Sequence, residues 1–204
     1  RDSSAGYLDG DTLRTQADDL GCYSFSRPED LHNDPNDPTR AVFASTGRGG
    51  LFPSDNWGAV YVVSVDFDSL TAELTILHDA DDLPVPDQGV RSPDNLTWAD
   101  DGFIYVQEDR STSPSSLFGA VNGVEASIWK ISPTTGDYVR IAEIDRSVVL
   151  PADATDIGVD EGGHWGSSGI LDVTDLFNTK GGGTLLGGTV QAHGIRDGSI
   201  GDNP

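Results

Sequence analysis

Five oxygen-bearing side chains, Glu29, Asp94, Asn95, Glu108 and Asp109, fall at related places along the chain, with Arg27, Arg48 and Arg110 close to them in sequence. Hard cations such as calcium take about six to eight oxygen ligands of this type. Several carboxylates held together repel one another unless a cation or an arginine neutralises them. An arginine beside a bound metal is also what an anionic phosphate needs, through charge-assisted bidentate hydrogen bonds. Two readings of the residues stay open at this point: a metal-binding cluster, or a channel in which Arg27, Arg48 and Arg110 neutralise the acids.

The elements that must position these residues follow from a repeat. Arg27-Pro28-Glu29-Asp30-Leu31 is echoed at Ser92-Pro93-Asp94-Asn95-Leu96. The β-rich run 42–45 after the first motif matches 104–107 after the second; 60–62 matches 127–129, and 74–77 matches 141–144. Each unit reads as a lead-in turn followed by four strand candidates, the plan of a propeller blade. A third unit begins at Trp165-Gly166-Ser167-Ser168-Gly169, with 184–191 as its second strand, and stops before its outer strands. Helical periodicity is confined to 12–20 and a short turn at 175–177; the remaining short runs, bounded by Gly, Pro, Asn and Asp, give an all-β chain.

Successive strands of a blade are antiparallel, so the start of the first and the end of the second share one edge. That places Arg27 and Glu29 beside Ser45, Thr46 and Arg48. It places Asp94 and Asn95 beside Glu108, Asp109 and Arg110, and Ser167 and Ser168 beside Gln191 and His193. If the innermost strands surround a channel, the three edges meet at one mouth. About three blades cannot close a ring, so the repeat predicts partners that complete it: flanking sequence or another chain. A β-sandwich or jelly roll fits the repeated unit less well.

The bulk composition limits the partners. With 12 basic and 34 acidic residues the formal net charge is −22; such a field repels nucleic acid and anionic membrane and attracts cations. No apolar run approaches the ~18 residues of a membrane span. Cys22 is the only cysteine, which rules out an intrachain disulfide and a multi-cysteine zinc site; its expected place is a buried apolar one. The sequence opens on Arg1 and contains no Met, which suggests a processed product or a fragment. Residues 1–23 read as a lead-in and 24–204 as a partial propeller. The segments 32–38 and 79–82 have the Asn, Asp and Pro of turns, and neither fits a calcium-loop motif. Gly181-Gly182-Gly183 is a turn without the Lys-Ser/Thr pair of a phosphate loop.

Four segments resemble the PhoX-type alkaline phosphatases: Phe25-Ser26-Arg27-Pro28-Glu29-Asp30, Ser92-Pro93-Asp94-Asn95-Leu96, Gln107-Glu108-Asp109-Arg110 and Gln191-Ala192-His193-Gly194. They come in the family's order, from about Ser24 onward, and correspond to the C-terminal half of such proteins. The resemblance implies a six-bladed propeller, export to the periplasm or beyond, and hydrolysis of phosphomonoesters at a channel-mouth cluster of calcium and iron. It implies Glu29, Asp94, Asn95 and Glu108 as metal ligands or their immediate support, Arg27 as a phosphate contact and His193 near the site. Relatives carry Glu at the second position of the segment that here reads Trp165-Gly166-Ser167-Ser168-Gly169. Gly166 would remove an anionic donor, which Glu161 could replace only by folding inward. The family's iron ligands include a cysteine-bearing segment that Cys22 does not match. Two functions therefore compete: part of an exported metal-dependent phosphomonoesterase, or a non-catalytic secreted propeller that uses calcium for stability or assembly.

Overall fold

The computed structural model describes residues 8–147, 153–156, 158, 161–177 and 182–196. One helix, α1 (Gly10–Asp19), precedes the strands. The Asp9 side chain caps it by accepting from the backbone N–H groups of Asp11 and Thr12, which starts the helix two residues before the sequence pattern does. The lead-in then joins the first sheet through Phe25, whose ring packs edge-on against Phe43 and Tyr61 at 5.0 and 5.3 Å.

The strands are β1 (Pro28–Asp34), β2 (Asp37–Ser45), β3 (Ala59–Asp66), β4 (Thr71–Asp79), β5 (Pro93–Trp98), β6 (Ile104–Glu108), β7 (Ser127–Ile131), β8 (Tyr138–Glu143), β9 (Thr155–Asp156), β10 (Gly166–Asp172), β11 (Leu186–Gln191) and β12 (Ile195–Arg196). They form two four-stranded antiparallel meanders, β1-β2-β3-β4 and β5-β6-β7-β8, and the two-stranded pairs β10-β11 and β9-β12. The all-β class and the repeated four-stranded unit stand. The lead-in turns, however, are themselves the first strands β1 and β5, with three strands after each. Their Pro, Asp and Asn residues mask the strand signal, and pairing to β2 and β6 overrides it. The short helical turn lies at Thr174–Leu176 and is a 3-10 turn.

The core lies between the two meanders. Val42 and Ala44 of β2 and Val60 and Val62 of β3 pack against Leu96, Trp98, Ile104, Val106, Trp129 and Ile131 of the second sheet. Alternation explains the choice, since Phe43 and Tyr61 point to the opposite face and stack on each other at 5.0 Å. Burial of each such aliphatic side chain contributes roughly 1.5–3 kcal/mol. Every residue of β6 is buried: Ile104 and Val106 face the first sheet, and Tyr105 joins Ala99 and Ile170 on the side of β10. The first strands β1, β5 and β10 therefore stand side by side.

Each of these first strands is bulged at the same end. The β1–β2 register breaks between Pro28 and Leu31, β5–β6 between Pro93 and Leu96, and β10–β11 between Ser167 and Ile170. A bulge re-aims the side chains it carries. Here these are Glu29 and Asp30, Asp94 and Asn95, and Ser168 and Gly169, so the repeated motif is the sequence of a bulge.

Candidate functional site

The residue before β1 and the residue before β5 each hold a left-handed backbone: φ is 62° at Arg27 and 45° at Ser92. Both precede proline, which itself disfavours helical backbone. Non-glycine residues in this region are held there by their surroundings. The holding bonds repeat: Thr46 N–H donates to Arg27 O at 3.0 Å, and Asp109 N–H donates to Ser92 O at 3.0 Å. Thr46 and Asp109 are thus equivalent positions of successive sheets.

This frame brings Arg27, Glu29, Asp94 and Asp109 to one face. Arg27 donates through Nη1 to Ser111 Oγ and through Nη2 to Glu29 Oε1 at 3.3 Å. Ser111 in turn donates its hydroxyl to Gly47 O at 2.7 Å. Thr46 Oγ1 donates to Asp94 Oδ1 at 3.3 Å. Burial raises the Asp94 pKa to about 6, helped by the negative charges of Asp109 and Glu29 and opposed by Thr46 and Arg27. Burial also raises that of Asp109, against the positive fields of His193, Arg27 and Arg110. The group can attract a cation and present a guanidinium beside it.

The structure does not bring Glu108 into this group. Its carboxylate is fully buried and accepts five hydrogen bonds, from Arg91 N, Nε and Nη2, Ser127 N and Trp129 Nε1, at 2.7–3.1 Å. Both oxygens are committed to Arg91 and to β7 of the same sheet, so the expected ligand role at Glu108 gives way to a structural one. Its neighbour Asp109 joins that group instead. Asn95 sits in the bulge as expected, but its Oδ1 accepts from Gly169 N–H at 2.7 Å and ties β5 to β10. Asp30 does the same one sheet earlier, accepting from Leu96 N–H at 3.0 Å.

His193 is exposed, with Nε2 2.8 Å from Gln191 Oε1, and Gln191 Nε2 donates to Ser168 Oγ at 3.0 Å. It is placed by the third unit and acts on Asp109 through its field. Arg110 turns away to Glu161, Gly162 O and His164. That pairing engages Glu161, which does not join the Arg27, Glu29, Asp94 and Asp109 group. Cys22 is exposed rather than buried, because the lead-in crosses the surface after α1. Gly181-Gly182-Gly183 lies only in part within the described residues. Among the described residues, no group of three or more His, Cys, Asp or Glu side chains is gathered tightly enough to hold a metal ion by itself. Carboxylate oxygens with free lone pairs at Glu29, Asp94 and Asp109 fit calcium in donor type; a full coordination shell needs further ligands.

Sequence reasoning missed Arg91, the fully buried partner of Glu108. The signal lay in the repeat itself. Arg91 and Glu108 occupy the positions that Ser26 and Ser45 hold in the first sheet, where Ser45 Oγ donates to Ser26 O at 2.6 Å. Both positions change together from small and neutral to charged.

The family description "Alkaline phosphatase PhoX" matches residues 4–147, more than half of the chain. The chain belongs to the PhoX alkaline phosphatase family. The match spans both meanders and the Arg27, Glu29, Asp94 and Asp109 positions. Among solved structures, the chain is similar to Pseudomonas fluorescens PhoX in complex with vanadate, a transition state analogue, at 18% identity and a TM-score of 0.48. That match covers 69% of this chain and 29% of the other, so the chain spans less than a third of that protein's length. No curated protein matches.

Proposed function

We propose that this chain forms part of an exported metal-dependent phosphomonoesterase. The observation that carries this reading is the meeting of Arg27 with Glu29, Asp94 and Asp109 at one bulged edge in a PhoX-family chain. Glu29, Asp94 and Asp109 hold calcium, with iron a further candidate for ligands outside this segment. A bound metal supplies Lewis-acid polarisation of the phosphoryl oxygens and charge neutralisation as the leaving group departs. Arg27 orients the phosphate by charge-assisted hydrogen bonds, held in place by Ser111 and Glu29. His193 lies near Asp109 at the rim. The rest of the propeller ring, taken as six blades, comes from the remainder of a longer protein or another chain, and residues 24–204 are its share.

A second reading, a non-catalytic calcium-binding propeller, is favoured by one observation. Glu108 and Asn95 spend their oxygens on Arg91 and Gly169, which leaves few donors in this chain. Elemental analysis and p-nitrophenyl phosphate hydrolysis, with and without chelator, separate the two when run on this chain and on the longer protein. Chelator-sensitive turnover with bound metal supports the esterase. Calcium without turnover in the longer protein supports the second reading, and absence of metal from both proteins sinks the two together.

A further inference from the structure

The loop that joins β2 to β3 is pinched at its base by two glycines. φ is 79° at Gly47 and 78° at Gly58. A Cβ on Gly47 would lie 2.5 Å from Gly58 N, and one on Gly58 would overlap Ser45 O and Thr46 O. Both positions therefore take only glycine, and the pinch lays Asn56 back over Gly49. The Asn56 carboxamide then pairs with both backbone groups of Ser113, in the loop that follows β6 of the next sheet. Its Oδ1 accepts from Ser113 N–H at 2.8 Å and from Gly49 N–H at 3.0 Å, and its Nδ2 donates to Ser113 O at 3.2 Å. Two residues earlier, Ser111 donates its hydroxyl to Gly47 O at 2.7 Å and accepts from Arg27 Nη1. Ser111 N–H donates to Ser92 Oγ at 3.1 Å, and Ser92 N–H donates to Trp57 O at 2.6 Å. The 47–58 loop thus supports the segment 111–113 directly at Gly47 and Asn56, and through Ser92 at Trp57.

We infer that Asn56 is a positioning residue for the Arg27 guanidinium: its carboxamide seats the segment 111–113 on the 47–58 loop, and Ser111 passes that placement to Arg27. The pairing is to the backbone of Ser113, so it depends on the carboxamide and not on the partner's side chain. A guanidinium already held by fixed hydrogen bonds has less rotamer freedom to lose when it meets an anion, so its affinity for phosphate is higher. Asn56 itself need not touch the phosphate. The inference rests on the phosphate contact proposed above for Arg27, and not on metal binding.

Inhibition of the longer protein by inorganic phosphate tests it, with p-nitrophenyl phosphate as the substrate. Asn56→Ala and Ser111→Ala are each expected to raise the inhibition constant about fivefold, and the double variant no further than Ser111→Ala alone. An unchanged constant in Asn56→Ala, or losses that multiply in the double variant, overturns the role. Gly49→Ala gives a second route should Asn56→Ala fold poorly. Position 49 lies outside the left-handed region, and a Cβ there would overlap Asn56 Oδ1, the movable end of a side chain. This variant should dislodge the carboxamide and raise the constant likewise; a wild-type constant also overturns the role. NMR of this chain separates the inference from the esterase reading. The Arg27 Nη signals, assigned by their loss in Arg27→Ala, should be resolved in wild type and merge by free rotation in Asn56→Ala. Unchanged Nη signals overturn the positioning role alone. Absence of chelator-sensitive turnover from the longer protein overturns the esterase, while the NMR comparison still decides whether Asn56 holds the guanidinium.

Discussion

Arg91 and Glu108 form a fully buried ion pair, with Nη2 2.7 Å from Oε2 and Nε 3.1 Å from Oε1. Burial works against the Arg91 charge, but the field and hydrogen bonds of Glu108, with Asp87, more than offset it and raise the guanidinium pKa. Arg91 Nη1 also contacts Asp87 Oδ1 at 3.2 Å, and its guanidinium lies 3.8 Å from the centroid of Phe118. The pair thus clamps the approach to β5, the end of β6 and the loop before β7 into one unit. Removing Glu108 leaves the buried Arg91 charge with Asp87 as its carboxylate partner, a loss of up to roughly 3–5 kcal/mol. Glu108→Gln is therefore expected to lower urea-unfolding stability by about that amount. If Glu108 served chiefly as a metal ligand, the substitution would instead act mainly on calcium affinity and leave the metal-free stability near wild type.

The repeat made the strand order and the shared edge legible, because a bulge needs the same turn-forming residues each time it is built. Glu29 and Asp94 were found on that ground. Glu108 was misplaced because strand pairing fixes which end of β6 it occupies but not to which side its carboxylate turns. The choice between Glu108 and Asp109 follows from Arg91, a partner from outside the motif. Likewise the oxygen of Asn95 suits a ligand or a backbone acceptor equally well, and only the approach of β10 decides between them. The close approach of the Asp109 carboxylate to Gly166 joins chain segments far apart in sequence, which spacing alone does not encode.

The bulge residues Asp30 and Asn95 link consecutive first strands by accepting from Leu96 N–H and Gly169 N–H. Each acceptor satisfies a backbone donor that no ladder partner reaches. Asp30→Ala and Asn95→Ala are each expected to cost about 1–2 kcal/mol. Amide hydrogen exchange should localise the effect: Asp30→Ala speeds exchange at Leu96, and Asn95→Ala at Gly169. Unchanged exchange at Gly169, with reduced calcium binding in Asn95→Ala, would restore Asn95 to the ligand set.

His78 joins the two sheets through its ring. Nε2 accepts from Val90 N–H at 3.0 Å, and the ring packs edge-on against Tyr138 at 4.6 Å. Burial lowers its pKa to about 4, and the neutral ring is the form that accepts the Val90 bond. The unfolded chain binds this proton near pH 6.5, so between about pH 6.5 and 4 it holds more protons than the folded one. The contribution of neutral His78 is complete above about pH 6.5 and is lost as pH falls toward 4, by roughly 3 kcal/mol in all. Urea unfolding across this range should show that slope in wild type and a shallower one in His78→Phe. Parallel slopes in the two proteins would show that other groups govern acid stability.

Arg27 keeps a left-handed backbone before a proline, and in the proposed esterase its guanidinium meets the phosphate. A left-handed conformation costs a residue with a Cβ roughly 1–2 kcal/mol, and glycine escapes that cost. Arg27→Gly and Arg27→Ala both delete the bonds to Ser111 and Glu29, so they differ mainly in backbone strain. The glycine variant is expected to be the more stable of the two by about 1 kcal/mol in urea unfolding. In the longer protein both should lose about tenfold or more in kcat/KM for p-nitrophenyl phosphate, because each removes the same phosphate contact. If activity followed stability instead, with glycine retaining most of the turnover, Arg27 would be a structural residue and the phosphate would require another cation.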